Sequence, residues 1–461
     1  MKIFKFFMSN VTITYVESYR SHFRETLLLA SPITFSLISQ KVINVTDVIM
    51  LGSVGPHALA SGGLATTFFF TIMTLMHGML SPLTVLVSRA VGEKLHKNIP
   101  DIYGSTLLIA GILAIPFFLV MSNLEPLLLL CGTQAAIAHD AGLSASVLRW
   151  AVPGAMFGLG IMRAILPAIG GAHLLMRVAL IIMFFNILFN YIFINGFWLF
   201  PAQGFIGSAL ATTATINLIA VSLLVIIYTR PHFTSYLRGG VVKTEVVREI
   251  FAMGIPVSAI LGVEAMVFLV AGLCISAIDP ESLAAHQIVF SIVDTLFMLP
   301  LALSTVANVR VSFWAGAGRN SEVTKAASTA ICFGILTMGI CASLLYFSPL
   351  PILKLYMHTA QQSLQNSEGK VITLLAIASA FQIGDGVVSI ASGCLRGLKD
   401  VRIPLVLATC GYWGVAFPTG YWLAKHQHLG AIGIWLGLTL GVSLLAIALL
   451  VRFYQLRPRT A

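Results

Sequence analysis

Four carboxylates stand deep within long apolar runs of this chain: Asp47 in NVTDVIMLG, Glu264 in LGVEAMVFL, Asp294 in SIVDTLFMLP and Asp385 in FQIGDGVVS. An ionised carboxylate at the centre of a bilayer costs at least about 2.5–3.5 kcal/mol on insertion scales, so such groups face a cavity or a partner. The chemistry open to them is binding of Na+, uptake of H+, or attraction of a cationic substrate. The plainer alternative is a buried acid held by hydrogen bonds or a basic neighbour. Gly384 and Gly386 flank Asp385, and two glycines there would loosen a helix and turn backbone carbonyls towards a cation. Asp294 suits either the same cavity or a bond to a neighbouring helix.

Neutral polar residues accompany the acids. Asn186 and Asn190 lie four apart in NILFNYIF, so their amides share a helix face. Thr212, Thr213 and Thr215 follow in the next apolar run. Together they can hold Asp47 through hydrogen bonds, or serve as ordinary helix–helix contacts of about 0.6 kcal/mol each. Gln40 precedes Lys41, an intramembrane base; Arg149 is another, and snorkelling or a structural ion pair explains both as well as function does. His286, in LAAHQI, is a candidate cavity residue, with a packed histidine as the alternative. The 29 Phe and 16 Met residues could line a pliable pocket for varied ligands, or simply pack. No phosphate-binding glycine loop, nucleophile with a paired base, or metal-ligand set on one helix face is legible, which argues against an enzyme.

Long helices must position these groups. The 461 residues are 58% hydrophobic and only 10% charged, with a mean hydropathy of +0.94, against about 25% charged in soluble proteins. Lipid is therefore the solvent for most of the surface. Twelve spans are expected near 26–52, 58–88, 104–123, 138–160, 174–197, 204–229, 251–277, 283–312, 324–347, 370–393, 403–424 and 430–452. Between them the basic residues fall mostly on one side, including Arg20, Arg24, Arg89, Lys94, Arg163, Arg177, Arg238, Arg319, Arg396 and Arg452. The other side has only Lys354, Lys370 and Lys425. Both termini are thus expected in the cytoplasm, with the first span as an uncleaved insertion signal. The formal charge of +10 lies beside spans instead of in one patch, so nucleic acid is not an expected partner. Six cysteines without paired spacing suggest neither disulfides nor a zinc site.

The chain also repeats itself. Arg24, Glu25 and Pro32 recur as Arg248, Glu249 and Pro256, and Val87, Ser88 and Gly92 as Val311, Ser312 and Gly316, an offset of 224. Farther on the offset is 226, with Gly171 meeting Gly397 and Gly204 meeting Gly430. Asp47 has Ala271 as its counterpart, and Glu264 has Gln40. Duplicated six-span halves in so apolar a chain point to a transporter of two pseudo-symmetric bundles. The expected organisation is an N-terminal cytoplasmic segment (1–25), an N-lobe (26–229), a cytoplasmic linker (230–250), a C-lobe (251–452) and a cytoplasmic tail (453–461).

NVTDVIMLG, NILFNYIFINGFW, GVEAMVFL, LAAHQI and FQIGDGVVSIASGCLRGLKDVRIP resemble, in order and spacing, the MATE family (multidrug and toxic compound extrusion), in its NorM-type branch. The resemblance runs over about residues 22–450. It implies an all-α membrane protein of 12 transmembrane helices in two six-helix bundles. It implies export of amphipathic, mostly cationic drugs in exchange for Na+ or H+ by alternating access. Asp47 then matches the N-lobe acid, with Asn186, Asn190 and Thr212 as its polar companions. Glu264 and Asp385 match the C-lobe cation-site acids and would be the Na+ ligands. Two positions depart from the pattern: Phe381 stands where relatives tend to have Tyr, and Asp294 where they tend to have a small polar residue. Expected partners are small molecules and membrane lipids, with a monomer in the bacterial inner membrane and no cofactor beyond the coupling ion. A lipid-linked precursor flippase of a related two-bundle class is the alternative, and would want a basic cavity.

Overall fold

The computed structural model describes residues 18–197, 201–351 and 368–456. Most of the expected N-terminal segment (1–17), the end of the tail (457–461) and Lys354 lie outside them. Among the described residues, ten continuous helices are long and apolar enough to cross a membrane: α1 (Tyr19–Val54), α2 (Pro56–Gly92), α3 (His96–Ser122), α5 (Ala172–Asn195), α6 (Phe205–Thr229), α7 (Thr244–Ser276), α8 (Glu281–Gly316), α9 (Asn320–Phe347), α10 (Gly369–Gly397) and α12 (Gly430–Leu456). An eleventh span, α4, is a pair, Ala135–Ala151 and Gly154–Ile165, bent by 46°. The twelfth, α11, runs from Arg402 to His426 with a wide-turned π segment, Cys410–Ala416, between two α-helical pieces. The chain is a multi-pass membrane protein.

Both interrupted spans carry the interruption at glycines. In α4 the π segment is Gly154–Gly160, and Gly158 lies so close to Ala220 of α6 that a Cβ there would collide. In α11, Gly411 and Ala416 face Gly441 of α12 at similarly close range. Small residues let helix backbones approach within a membrane, where packing replaces the hydrophobic drive. π-turns inside helices re-aim the side chains that follow, and they concentrate at functional sites.

The prolines behave in two ways. Pro82 and Pro300 open new helical pieces just after breaks at Ser81 and Phe297, where the missing N–H deletes no bond or almost none. Pro32 and Pro256 sit inside unbroken α1 and α7.

The chain divides into two compact units. One is Ser31–Ser258; the other takes the described residues up to Ala30 and those from Ala259 on. The divisions thus fall inside α1 and α7, near Pro32 and Pro256, and not in the connection 230–250 where a boundary was expected. Local bonds explain this. Gly240 packs against Pro100, the Val241 N–H donates to Asp101 (2.9 Å) and the Lys243 N–H donates to Ser105 (3.0 Å). Farther along, Gly254 lies against the Met79 backbone and the Ser258 hydroxyl donates to the Leu75 carbonyl. The connection and the first turns of α7 are therefore tied to the first unit. In the other unit, buried Arg310 of α8 donates to the His22 carbonyl (2.6 Å), the Thr26 hydroxyl and Glu25 (2.9 Å). His22 bonds Glu322 (2.7 Å), which also takes Lys325 (2.9 Å). That buried ionic cluster holds the first turns of α1.

Candidate functional site

In the Ser31–Ser258 unit, α1, α5 and α6 bring Asp47, Asn186, Asn190, Thr212 and Thr215 together. Asp47 is 1% exposed. Asn190 Nδ2 donates to Asp47 Oδ1 at 2.6 Å, and Thr212 Oγ1 donates to Asp47 Oδ2 at 2.9 Å. Behind them, Asn186 Nδ2 donates to Thr215 Oγ1 at 3.2 Å. The i, i+4 spacing of the two asparagines puts both amides on one face of α5, so the geometry follows from the sequence. Thr213 faces elsewhere, donating to the Val147 carbonyl. The carboxylate is thus held by two neutral donors and no cation.

The same unit has a cleft lined by Gln40, Phe70, Arg163, Thr212 and Ile216, among others. Arg163 was expected in a cytoplasmic connection; it lies instead within the second half of α4, because the π segment carries the helix on to Ile165. Its Nη1 donates to Gln40 Oε1 at 3.0 Å. Arg149 lies over the rings of Phe118 (5.6 Å) and Trp150 (5.7 Å), a cation–π setting that suits a structural role.

In the other unit, α7, α8 and α10 place Glu264, Asp294 and Asp385 within electrostatic reach of one another. Asp385 is 4% exposed, while Glu264 and Asp294 are partly open. Among the described residues no protein donor bonds Glu264 or Asp385, in contrast with Asp47. No group of three or more His, Cys, Asp or Glu side chains among them is spaced to hold a metal ion, so the acids alone do not form a complete ligand shell. A fourth oxygen was missed by the sequence reading. Tyr412 lies in the π segment of α11, is 1% exposed, feels both Glu264 and Asp385, and its hydroxyl has no hydrogen-bond partner. A tyrosine in an apolar run carries no charge to betray it, and only the π turn shows where it points.

Phe381 and His286 belong to a packed aromatic cluster. Phe381 is fully buried, with its ring edge-on to Phe268 (5.9 Å) and Trp435 (5.8 Å). His286 stacks near Phe290 and accepts a hydrogen bond from Trp435 Nε1 at 3.2 Å. Carboxylates with a phenol oxygen are hard ligands of the kind Na+ prefers.

Among the described residues, ten continuous and two interrupted apolar helices, with a buried acid in each of two helical units, define the class of a polytopic membrane protein. The MatE family model matches residues 32–192 and 256–422, and the chain belongs to this family. The probable multidrug resistance protein NorM of Burkholderia mallei is 41% identical over 434 residues, 94% of this chain and 93% of that protein. The multidrug resistance protein NorM of Burkholderia vietnamiensis is 40% identical over 95% of both. A crystal structure of MATE in complex with MaL6 superposes with a TM-score of 0.87 at 18% identity, covering 94% of this chain and 96% of that one.

Proposed function

We propose that this protein is a secondary multidrug efflux transporter, exporting amphipathic organic cations in exchange for Na+ or H+ by alternating access. The NorM relatives support the drug-efflux part and do not favour the flippase alternative. The observation that carries the coupling part is the contrast between two acid sites. Asp47 accepts a hydrogen bond on each oxygen, from Asn190 and Thr212, whereas Glu264 and Asp385 lie near each other without a protein donor among the described residues. Two neighbouring carboxylates in an apolar unit repel, and a bound cation or a shared proton relieves that repulsion.

Glu264 and Asp385 therefore take the coupling cation, with Tyr412 as a neutral oxygen ligand in place of the phenol missing at Phe381 and Asp294 as a nearby charge. Asp47 takes H+, and its neutral donors set what that proton must displace. Coupling requires negative linkage between ion and drug, as when both seek one carboxylate. The protein works as a monomer in the bacterial inner membrane with both termini in the cytoplasm, surrounded by lipid and without a further cofactor.

The test is efflux of a fluorescent organic cation from proteoliposomes under a Na+ gradient and a pH gradient applied separately. Efflux driven by either gradient, and lost in Asp47→Asn or Glu264→Gln protein, supports the reading. If both variants pump as well as wild type, the assignment of coupling to these acids falls. No efflux under either gradient would move the substrate away from organic cations.

A further inference from the structure

His22 stands where the other repeat has a valine. The offset of 224 pairs His22 with Val246, Arg310 with Leu86 and Glu322 with Asn98. The two stretches do the same work. The first turns of α7 belong to the Ser31–Ser258 unit, and the first turns of α1 to the unit resumed at Ala259. At the start of α7 the ties are the Val241 and Lys243 N–H groups on Asp101 and Ser105, backbone donors that do not titrate. The start of α1 is held instead through a buried histidine, which docking a helix end does not require.

The contacts of that ring fix its protonation. Arg310 Nη2 lies 2.6 Å from His22 Nδ1. A guanidinium only donates, so Nδ1 is bare and accepts. The one ring proton is then on Nε2, which donates to Glu322 at 2.7 Å. The charged groups that act on the ring are Arg310 of α8 and Glu322 and Lys325 of α9, while Glu25 and Arg24 belong to its own helix. Within the bonded set, Arg310 and Lys325 balance Glu25 and Glu322, so the charges cancel while the ring is neutral. A second ring proton would point an N–H at the Arg310 guanidinium and leave one positive charge uncompensated, in a residue that is 0% exposed. Once undocked, the ring would take that proton as an exposed histidine does, near pH 6.5.

We propose that His22 is a proton-operated release for the first turns of α1, docked against Arg310 and Glu322 while its ring is neutral and freed when the solution at that end of the helix turns acidic. Placing this end in the cytoplasm rests on the proposed function; the release itself does not, and it can be read with no drug and no ion gradient. In a carrier that admits H+, it lets the acidity produced inside act back on the helix that carries Asp47.

The experiment is amide hydrogen exchange of the full-length protein in lipid nanodiscs, one pH unit above and one below the ordinary histidine value, at about pH 7.5 and about pH 5.5. Labelling times are scaled for the intrinsic pH dependence of exchange, and peptides covering residues 18–30 and 244–255 are followed by mass spectrometry. In wild type the protection of 18–30 should fall about tenfold at the acid pH, the linkage of one proton site absent from the docked state. The protection of 244–255, the repeat counterpart without a histidine, should stay the same. In His22→Gln protein, whose side chain still reaches a neighbour but takes no proton, 18–30 should be indifferent to pH. The wild-type comparison of the two stretches decides by itself if that variant does not fold. Unchanged protection of 18–30 in wild type, an equal loss at 244–255, or an undiminished pH effect in His22→Gln overturns the proposal.

Discussion

Asn190 and Asp47, 143 residues apart in sequence, meet at 2.6 Å between Nδ2 and Oδ1. The same Nδ2 also reaches the carbonyl and Oδ1 of Asn186, at 3.1 and 3.2 Å. The Oδ1 of Asn190 is buried with no donor. The amide therefore turns its donor side towards Asp47 and leaves its acceptor unused. A proton arriving on Asp47 converts that carboxylate into a donor, and rotation of the Asn190 amide would then offer it an acceptor. Thr212, whose hydroxyl can give or receive, adapts without moving.

This arrangement makes Asn190→Leu and Thr212→Val different in kind. Leucine can neither donate nor accept, so efflux driven by a pH gradient should fall to the level of Asp47→Asn protein. Thr212→Val should lose only part of the rate and about 0.6 kcal/mol of stability, the usual scale of a hydroxyl contact between membrane helices; Thr212→Ser should restore the rate. Proteoliposome efflux at matched protein content reads all four variants, and equal rates for Asn190→Leu and wild type would remove Asn190 from the proton path.

Tyr412→Phe deletes a single buried oxygen. Because the hydroxyl has no partner, its loss should leave thermal stability unchanged or slightly raised. The Na+ concentration giving half-maximal efflux should rise about tenfold, as for loss of one oxygen from a charged ligand's shell. Efflux driven by a pH gradient should stay the same. A Na+ dependence identical to wild type would show that the phenol does not touch the ion.

How much of this was open to the sequence depends on what each feature needs. Asp47 with Asn190 and Thr212, and Glu264 with Asp385, stand out because charge and amides in apolar runs are rare and helical spacing sets their faces. The twelve spans follow from length and hydropathy. Arg163 was misplaced because hydropathy does not locate the end of a helix that continues through a π segment. Tyr412 was missed because a phenol blends into an apolar run. The divisions inside α1 and α7 were hidden for another reason: they depend on Arg310 finding His22 and Glu25, nearly 300 residues away, and no local pattern encodes that meeting.

The Arg310 cluster should be a large stabilising element. Arg310 is 4% exposed, and its guanidinium is bonded to His22, Thr26 and Glu25. Removing one partner of a buried ionic set leaves an uncompensated charge and typically costs about 3–5 kcal/mol. Arg310→Met should lower the thermal unfolding midpoint strongly, and Glu322→Gln less so, because one of Lys325, now on Oε1, and His22, now on Oε2, keeps its contact with the remaining oxygen. In a double-mutant cycle the two changes should be non-additive, since both act on His22. Strict additivity would mean that Arg310 and Glu322 stabilise the first turns of α1 independently.

Asp279 offers a pH-dependent test outside the spans. It caps the helix that begins α8, accepting from the Ser282 N–H (2.6 Å) and the Ser282 hydroxyl (2.7 Å), with Lys370 at 3.2 Å. The Ser282 hydroxyl first, then its N–H and Lys370, hold this carboxyl below its ordinary range. A group depressed in the folded state adds stability above its unfolded value, about 3.9 for Asp, and that stability is lost as pH falls through the folded value. Asp279→Ala should therefore cost about 1 kcal/mol at neutral pH, the usual worth of an N-cap. The gap from wild type should narrow once the pH drops below about 4. Asp279→Asn, which caps without a charge, should fall between them at neutral pH and lack the acid-dependent part. Thermal unfolding in detergent across that pH range measures the gap directly. A gap that stays constant on acidification would mean that the ionised carboxylate contributes nothing beyond an uncharged cap.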